Sequence, residues 1–462
     1  MAVVSYKDSS MQQKVVKKVF FRIIPFVFIL YITAFIDRVN VSFAALSMNH
    51  ALGFSSTVYG AGAGVFFLGY FLMEVPGNLI MTKVGARIWM TRILVTWGII
   101  SMTTALVKTP GQFYVVRFLL GMAEASFSPG IVFYLTHWFR ARDQAKAVAF
   151  YITAMPACNV IASPISAALL GVTWLGFGGW QWLFILEGIP ALVLGVVTFF
   201  YLTDIPEQAK WLTSEERGVL VQMMQDDKAA KSQRGTYNLR QSFLDRDVLL
   251  LSVIYFAWMG GLYGITMFLP ILVKGLQSAM SNQTVGYLVM LPYLAAFITM
   301  ILVSIHSDKV NERRYHIMAC MLVSAIGLAG SVYLSTVSIF VAMALYAVAL
   351  MGVNAAFGPF WAIPSSFLQG AGAAGAIAMI NSIGNLGGFA GPYSMGYIRD
   401  ATGSYNSGVL FLSGGLVTAA LLMMMVRRSG TAEVTITPES KSAHTYIRET
   451  LNKFSAFHSY SG

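Results

Sequence analysis

About twelve stretches of roughly 20 mainly apolar residues follow one another through this chain, with short polar joints between most of them. A helix needs about 20 such residues to cross the hydrocarbon core of a bilayer. Inside lipid, a helix satisfies each backbone N–H and C=O within itself. The stretches have the length of spanning helices, so the sequence predicts an all-α membrane protein. Composition agrees: 56% of residues are hydrophobic and 11% are charged, where a soluble domain carries about 25% charged residues. The first half gives spans at Ile23–Leu46, Thr57–Met81, Ile88–Val107, Gln112–Thr136, Ala147–Gly171 and Trp182–Leu202. The second gives Val248–Val273, Val285–Ile305, His316–Ser335, Ser338–Pro359, Ala373–Tyr397 and Ser407–Val426. This divides the chain into an N-terminal segment 1–22, a six-helix half 23–202, a central loop 203–247, a second six-helix half 248–426 and a tail 427–462.

The basic residues set an orientation. Of 31 Lys and Arg residues, 26 fall at one side of these spans. Lys108, Lys274 and Arg399 fall at the other, and Arg38 and Arg117 lie deep within spans. Loops rich in Lys and Arg stay cytoplasmic, so both termini and the central loop are expected inside an inner (plasma) membrane. The net charge of +11 is thereby a topology signal, and no nucleic-acid partner is called for. In the central loop, Thr213 with Glu216 three residues on has the capping-box pattern, which predicts a short surface helix.

Four ionisable residues lie deep in apolar stretches: Asp37 and Arg38 in the first span, Arg117 and Glu124 in the fourth. A charge at that depth costs several kcal/mol, from roughly 2.5 to above 10 by different estimates. Such residues are kept where they face a partner or a polar cavity. Arg117 and Glu124 are two helical turns apart and share a face. Asp37 and Arg38 are neighbours and project in different directions. Opposite signs in one place lower the cost of burial and give a proton somewhere to bind, although static ion pairs between two helices are the alternative. Glu74 and Glu187 sit nearer span ends and read as structural.

The loop after the second span runs Asn78, Thr82, Lys83, Gly85, Arg87, and the loop after the eighth runs Ser304, Asp308, Lys309, Asn311, Arg313. Both resemble the G-x-x-x-D-R/K-x-G-R-R/K loop that occurs once per half in the major facilitator superfamily. The first copy departs from it at Asn78, Thr82 and Ala86, and the second lacks both glycines. Phe35-Ile-Asp37-Arg38-Val-Asn40 in the first span, Arg117-Phe-Leu-Leu-Gly121-Met-Ala-Glu124 in the fourth, Gly179-Trp180-Gln181-Trp182 opening the sixth, and Asn381-Ser-Ile-Gly384-Asn385 in the eleventh resemble that superfamily's anion:cation symporters, which include sugar-acid, tartrate, phthalate and hydroxyphenylacetate permeases. The resemblance covers nearly all of 15–426.

What the resemblance implies is a proton-coupled symporter of a small organic carboxylate, working as a monomer in membrane lipid. Asp37 and Glu124 would take the proton. Arg38 and Arg117 would hold the carboxylate, because the planar guanidinium fork meets both of its oxygens. Tyr70, Asn381 and Asn385 would contact the substrate. Lys83, Gly85, Arg87, Asp308, Lys309 and Arg313 would brace the conformational switch. An anion exchanger and a sodium-coupled carrier are the alternatives. A membrane-embedded enzyme would need a catalytic set, and neither that nor a metal-ligand spacing, a P-loop or any cofactor motif in a fitting context is present. Gly370-Ala-Gly-Ala-Ala-Gly375 matches a dinucleotide-binding string, but it precedes a span rather than following a strand.

Overall fold

The computed structural model describes residues 2–232, 243–367 and 370–427, and among them the chain is helical apart from turns and short joints. Among the described residues, nine helices are long and apolar enough to cross a bilayer outright. The remaining spans fall short for local reasons. The third, Ala86–Thr103, carries Arg87 and Arg92 within its 18 residues, which lowers its mean hydropathy. The fifth is two helices, Ala141–Ile152 and Ala154–Leu169. The eleventh, Gly370–Thr402, is diluted by glycines and asparagines. The fourth span is also jointed, as Pro110–Glu124 and Phe127–Thr136, and the tenth as Ile339–Ala355 and Phe357–Phe367. The first helix does not start at the apolar boundary. It runs from Ala2 to Leu52, so the N-terminal segment continues the first span. The predicted surface helix is present as Ser214–Ser232. Its capping box is closed: the Glu216 N–H donates to Thr213 Oγ1 (3.2 Å) and the Thr213 N–H to Glu216 Oε2 (3.0 Å).

The helices pack with an internal repeat. In the first half, span 2 packs on span 4, span 3 on span 6, and span 1 on spans 5 and 6. In the second, span 8 packs on 10, 9 on 12, and 7 on 11 and 12. Adding six to each member of the first set yields the second. Between the halves, span 2 meets 11 and span 5 meets 8, pairs that the same shift exchanges, and span 1 meets 7. Parallel repeats about an axis along the membrane normal have this property. Large apolar side chains such as Phe200, Leu302, Ile326 and Phe340 stand exposed on the outside of the bundle. In water they would make a patch far beyond what a monomer tolerates, whereas lipid covers them without cost.

The two halves close against each other on the face away from the N-terminus, the far face. Asp400, at the end of span 11, accepts from the Thr57 N–H (2.7 Å), the Thr57 hydroxyl (2.7 Å) and the Ser56 N–H (3.3 Å) at the start of span 2. Tyr59 Oη donates to Met267 O (2.6 Å). At the same face, where spans 5 and 8 meet, Gln283 Nε2 donates to Pro164 O (3.3 Å). Spans 2 and 11 lie backbone to backbone here, and a Cβ on Gly60 would collide with Pro392 O, and one on Gly396 with Ser56 O.

Candidate functional site

Between the halves a cavity of about 490 Å³ runs from mid-depth toward the near face, the one that carries the N-terminus. That lies within the usual size of a small-molecule site. Its walls come from the middle and near parts of spans: Tyr70 and Glu74 from span 2, Tyr151 from span 5, Tyr255 and Tyr263 from span 7, Trp361 from span 10, and Asn381 and Asn385 from span 11. Aromatic rings dominate, with a small number of polar groups among them.

Arg38 stands on the wall at mid-depth. One terminal nitrogen is ion-paired with Glu124 of the same half. The other donates to Tyr263 Oη across the cavity (3.2 Å). The guanidinium lies over the rings of Phe35, Phe66 and Tyr70 at 4.9, 5.3 and 5.4 Å from their centroids. One cation is thus shared by an acid of the first half and a hydroxyl of the second. Glu124 Oε2 is buried with no hydrogen-bond partner among the described residues.

Asp37 points the other way. Trp97 Nε1 donates to its Oδ2 (2.5 Å), and Ser101 Oγ and Asn40 Nδ2 donate to its Oδ1 (3.0 and 3.2 Å). This network lies inside the first half, against span 3, and not on the cavity wall. Glu187 is near it, accepting from Ser166 Oγ (2.6 Å). Arg117 is fully buried behind Phe66, 5.2 Å from that ring's centroid. Its Nε donates to Gly62 O (3.4 Å), and its terminal nitrogens have no hydrogen-bond partner among the described residues. Of the four membrane charges expected from sequence, Arg38 and Glu124 come together, while Asp37 and Arg117 stand one layer back.

Tyr70, Asn381 and Asn385, which the resemblance assigns to substrate contact, line the cavity. Glu74, read from the sequence as structural, lines it too. It accepts from Asn381 Nδ2 and from Ser382 Oγ (3.0 Å), joining span 2 to span 11. Its place near Pro76 and the loop suggested a structural end residue, and nothing in the local pattern shows that span 11 brings amides to it. Tyr263 was missed for the same reason.

A joint in span 4 follows directly on Glu124. Ser126 has φ 71°, left-handed and rare for a residue other than Gly or Asn. Arg92 of span 3 donates to Ala123 O (3.2 Å), satisfying a carbonyl that the broken helix leaves free. Discontinuous spans of this kind occur beside transport sites.

The loops differ from each other in an informative way. Gly85 and Asn311 occupy equivalent places and both have positive φ, 89° and 51°. Asn is the residue that best replaces Gly there. In the second loop Asp308 pairs with Arg313 at 2.6 Å. The first has Thr82 where that acid would be, and Asp204 from the end of span 6 substitutes: its Oδ1 accepts the Arg87 N–H at 2.7 Å. Lys83 and Lys309 are exposed.

The family model described as Major Facilitator Superfamily matches residues 27–392. The chain is 45% identical to a "Putative tartrate transporter" of Agrobacterium vitis over 91% of this chain and 96% of that protein. It is 38% identical to a "Quinolone resistance transporter" of Acinetobacter baumannii over 92% and 98%. Its fold is similar to the inward open conformation of the xylose transporter XylE from E. coli, with a TM-score of 0.73 at 16% identity, covering 90% of this chain and 98% of that one.

Proposed function

The chain belongs to the major facilitator superfamily, and from that premise we propose that it imports a small organic carboxylate together with a proton, by alternating access, as a monomer in the inner membrane with both termini cytoplasmic. The observation that carries this reading is Arg38, a cation on the cavity wall that is held by Glu124 on one side and by Tyr263 of the opposite half on the other. The name of the tartrate relative points to the same class of cargo. A carboxylate entering the cavity meets a guanidinium whose fork can take both oxygens. Protonation of Glu124 neutralises the partner that now occupies Arg38 and frees that nitrogen for the anion. Loss of proton and cargo restores the pair, and the empty carrier can return. Arg117 and Asp37 support the same electrostatic balance from behind the wall, with Tyr70, Asn381 and Asn385 contacting the cargo.

The test is binding and uptake in proteoliposomes against a panel of tartrate, sugar acids and aromatic acids. Arg38→Ala should weaken binding roughly 30-fold or more, in line with about 2–5 kcal/mol for truncating one member of a buried charge pair. Arg38→Lys should rescue poorly, because a point charge lacks the fork. Near-normal affinity in Arg38→Lys would place the carboxylate elsewhere. Uptake driven by a sodium gradient, or exchange without any pH response, would favour the alternative carriers.

A further inference from the structure

Away from the cavity, three cations converge where spans 1, 3 and 6 reach the near face. Arg22 lies close to that end of the first span, Arg87 follows the Gly85 turn, and Lys210 comes shortly after the sixth. With Tyr201 and Trp211 they border a groove of about 670 Å³. No acid is among the described residues that line it. The Arg22 guanidinium lies 4.0 Å from the Tyr201 ring centroid and 5.8 Å from that of Trp211. Nε of Arg22 and Nε of Arg87 are shielded from solvent without a hydrogen-bond partner among the described residues. Asp204 sits at the edge and is engaged by Arg87, through its backbone N–H at 2.7 Å and with Nε 4.0 Å away. The groove as a whole remains cationic.

Its other border is hydrocarbon. Phe200 is 80% exposed, and Val196, one turn back on the same face of span 6, is 56% exposed. These side chains lie at the end of a spanning helix, so in a bilayer acyl chains cover them. A cationic recess at headgroup depth, flanked by Tyr and Trp and continuous with an apolar wall, has the chemistry of a lipid headgroup site. We propose that this groove binds an anionic phospholipid, its phosphate among Arg22, Arg87 and Lys210 and one acyl chain along Phe200 and Val196. A free phosphate ion offers the same charge but leaves the apolar wall unused. A bound headgroup would tie spans 1, 3 and 6 together next to the Gly85–Arg87 turn.

Native mass spectrometry of the full chain, from micelles doped with equal phosphatidylglycerol and phosphatidylcholine, tests this. The parent protein should retain phosphatidylglycerol at least about ten-fold over phosphatidylcholine, and millimolar inorganic phosphate should not displace it. Lys210→Gln and Arg22→Gln should each weaken retention about five-fold, the equivalent of about 1 kcal/mol per cation near a membrane surface. Lys210 is an exposed side chain, so that variant keeps the fold even where Arg22→Gln, which loses its packing on Tyr201, does not. Equal retention of the two lipids by the parent, retention unchanged in Lys210→Gln, or displacement by phosphate alone would each overturn the proposal.

Discussion

Asp37 and Arg38 are adjacent in the chain and face different sides of one helix, which separates two jobs. Arg38 meets the cavity; Asp37 is held by three donors inside the first half. The sequence revealed both as membrane charges, because any charge in an apolar stretch stands out. It did not reveal which of them face the cavity, since a one-residue step turns a side chain by about 100° on a helix. Glu74 stayed hidden because its meaning depends on Asn381 and Ser382, which are 307 and 308 residues away. If Glu124 is the residue that releases Arg38, Glu124→Gln should bind cargo and support counterflow but lose uphill uptake driven by external acid. Uptake and counterflow on the same vesicles decide this. Asp37→Asn tests the second layer in the same assay. Retention of acid-driven accumulation by both variants would reduce these carboxylates to structural partners.

At the scale of elements, helices were legible wherever lipid dictated them, and joints were not. The break at Ala125–Ser126 lies in a stretch whose composition is ordinary for a span, and its cause is tertiary: Arg92 takes the Ala123 carbonyl. Left-handed backbone costs a residue other than Gly about 1–2 kcal/mol, and a Gly in its place would give back about 0.5–1 through chain entropy. Ser126→Gly should therefore melt close to the parent. Ser126→Val should lose more than about 2 kcal/mol, because a β-branched side chain suits that conformation least. Thermal unfolding of the detergent-solubilised variants measures both. The surface helix offers a pH test. Its Glu216 takes a hydrogen bond from Lys18 (2.6 Å), and that bond, with the capping-box donors of Thr213, holds the carboxyl below the usual glutamate range. A depressed value means that the contribution is complete at neutral pH and fades as pH drops through the ordinary glutamate value, about 4.3, and below it. Hydrogen exchange over Ser214–Ser232 should be faster in Glu216→Gln than in the parent at pH 7, and the two should converge in acid. A constant difference across that range would detach the helix from the Lys18 contact.

For the whole molecule, the count of spans, the two halves and the sites of the repeated loops followed from apolar length and from two short motifs. Which end of the cavity is open did not. That depends on how two bodies of nearly equal design lean on each other, a difference that no local pattern records. The leaning rests on bare backbone at the far face, where Gly60 and Gly396 let spans 2 and 11 touch. A single methyl group there would act as a shim. Gly60→Ala leaves the packing inside each half alone and levers the halves apart only where they now meet. Overpacking of this kind typically costs 1–3 kcal/mol. Set against the closed far face alone, that is a population change of about 5- to 150-fold toward a cavity open on that side. A cysteine placed at Met259, on the cavity wall, in a chain without Cys158 and Cys320, would report it. An impermeant thiol reagent added from the far face should label Gly60→Ala several-fold faster than the parent, and equal rates would mean that this contact is not what holds the door. The smallest side chains in the structure would then mark its hinge stops, and a carrier with a strong preference for one posture could be reset by the smallest possible substitution.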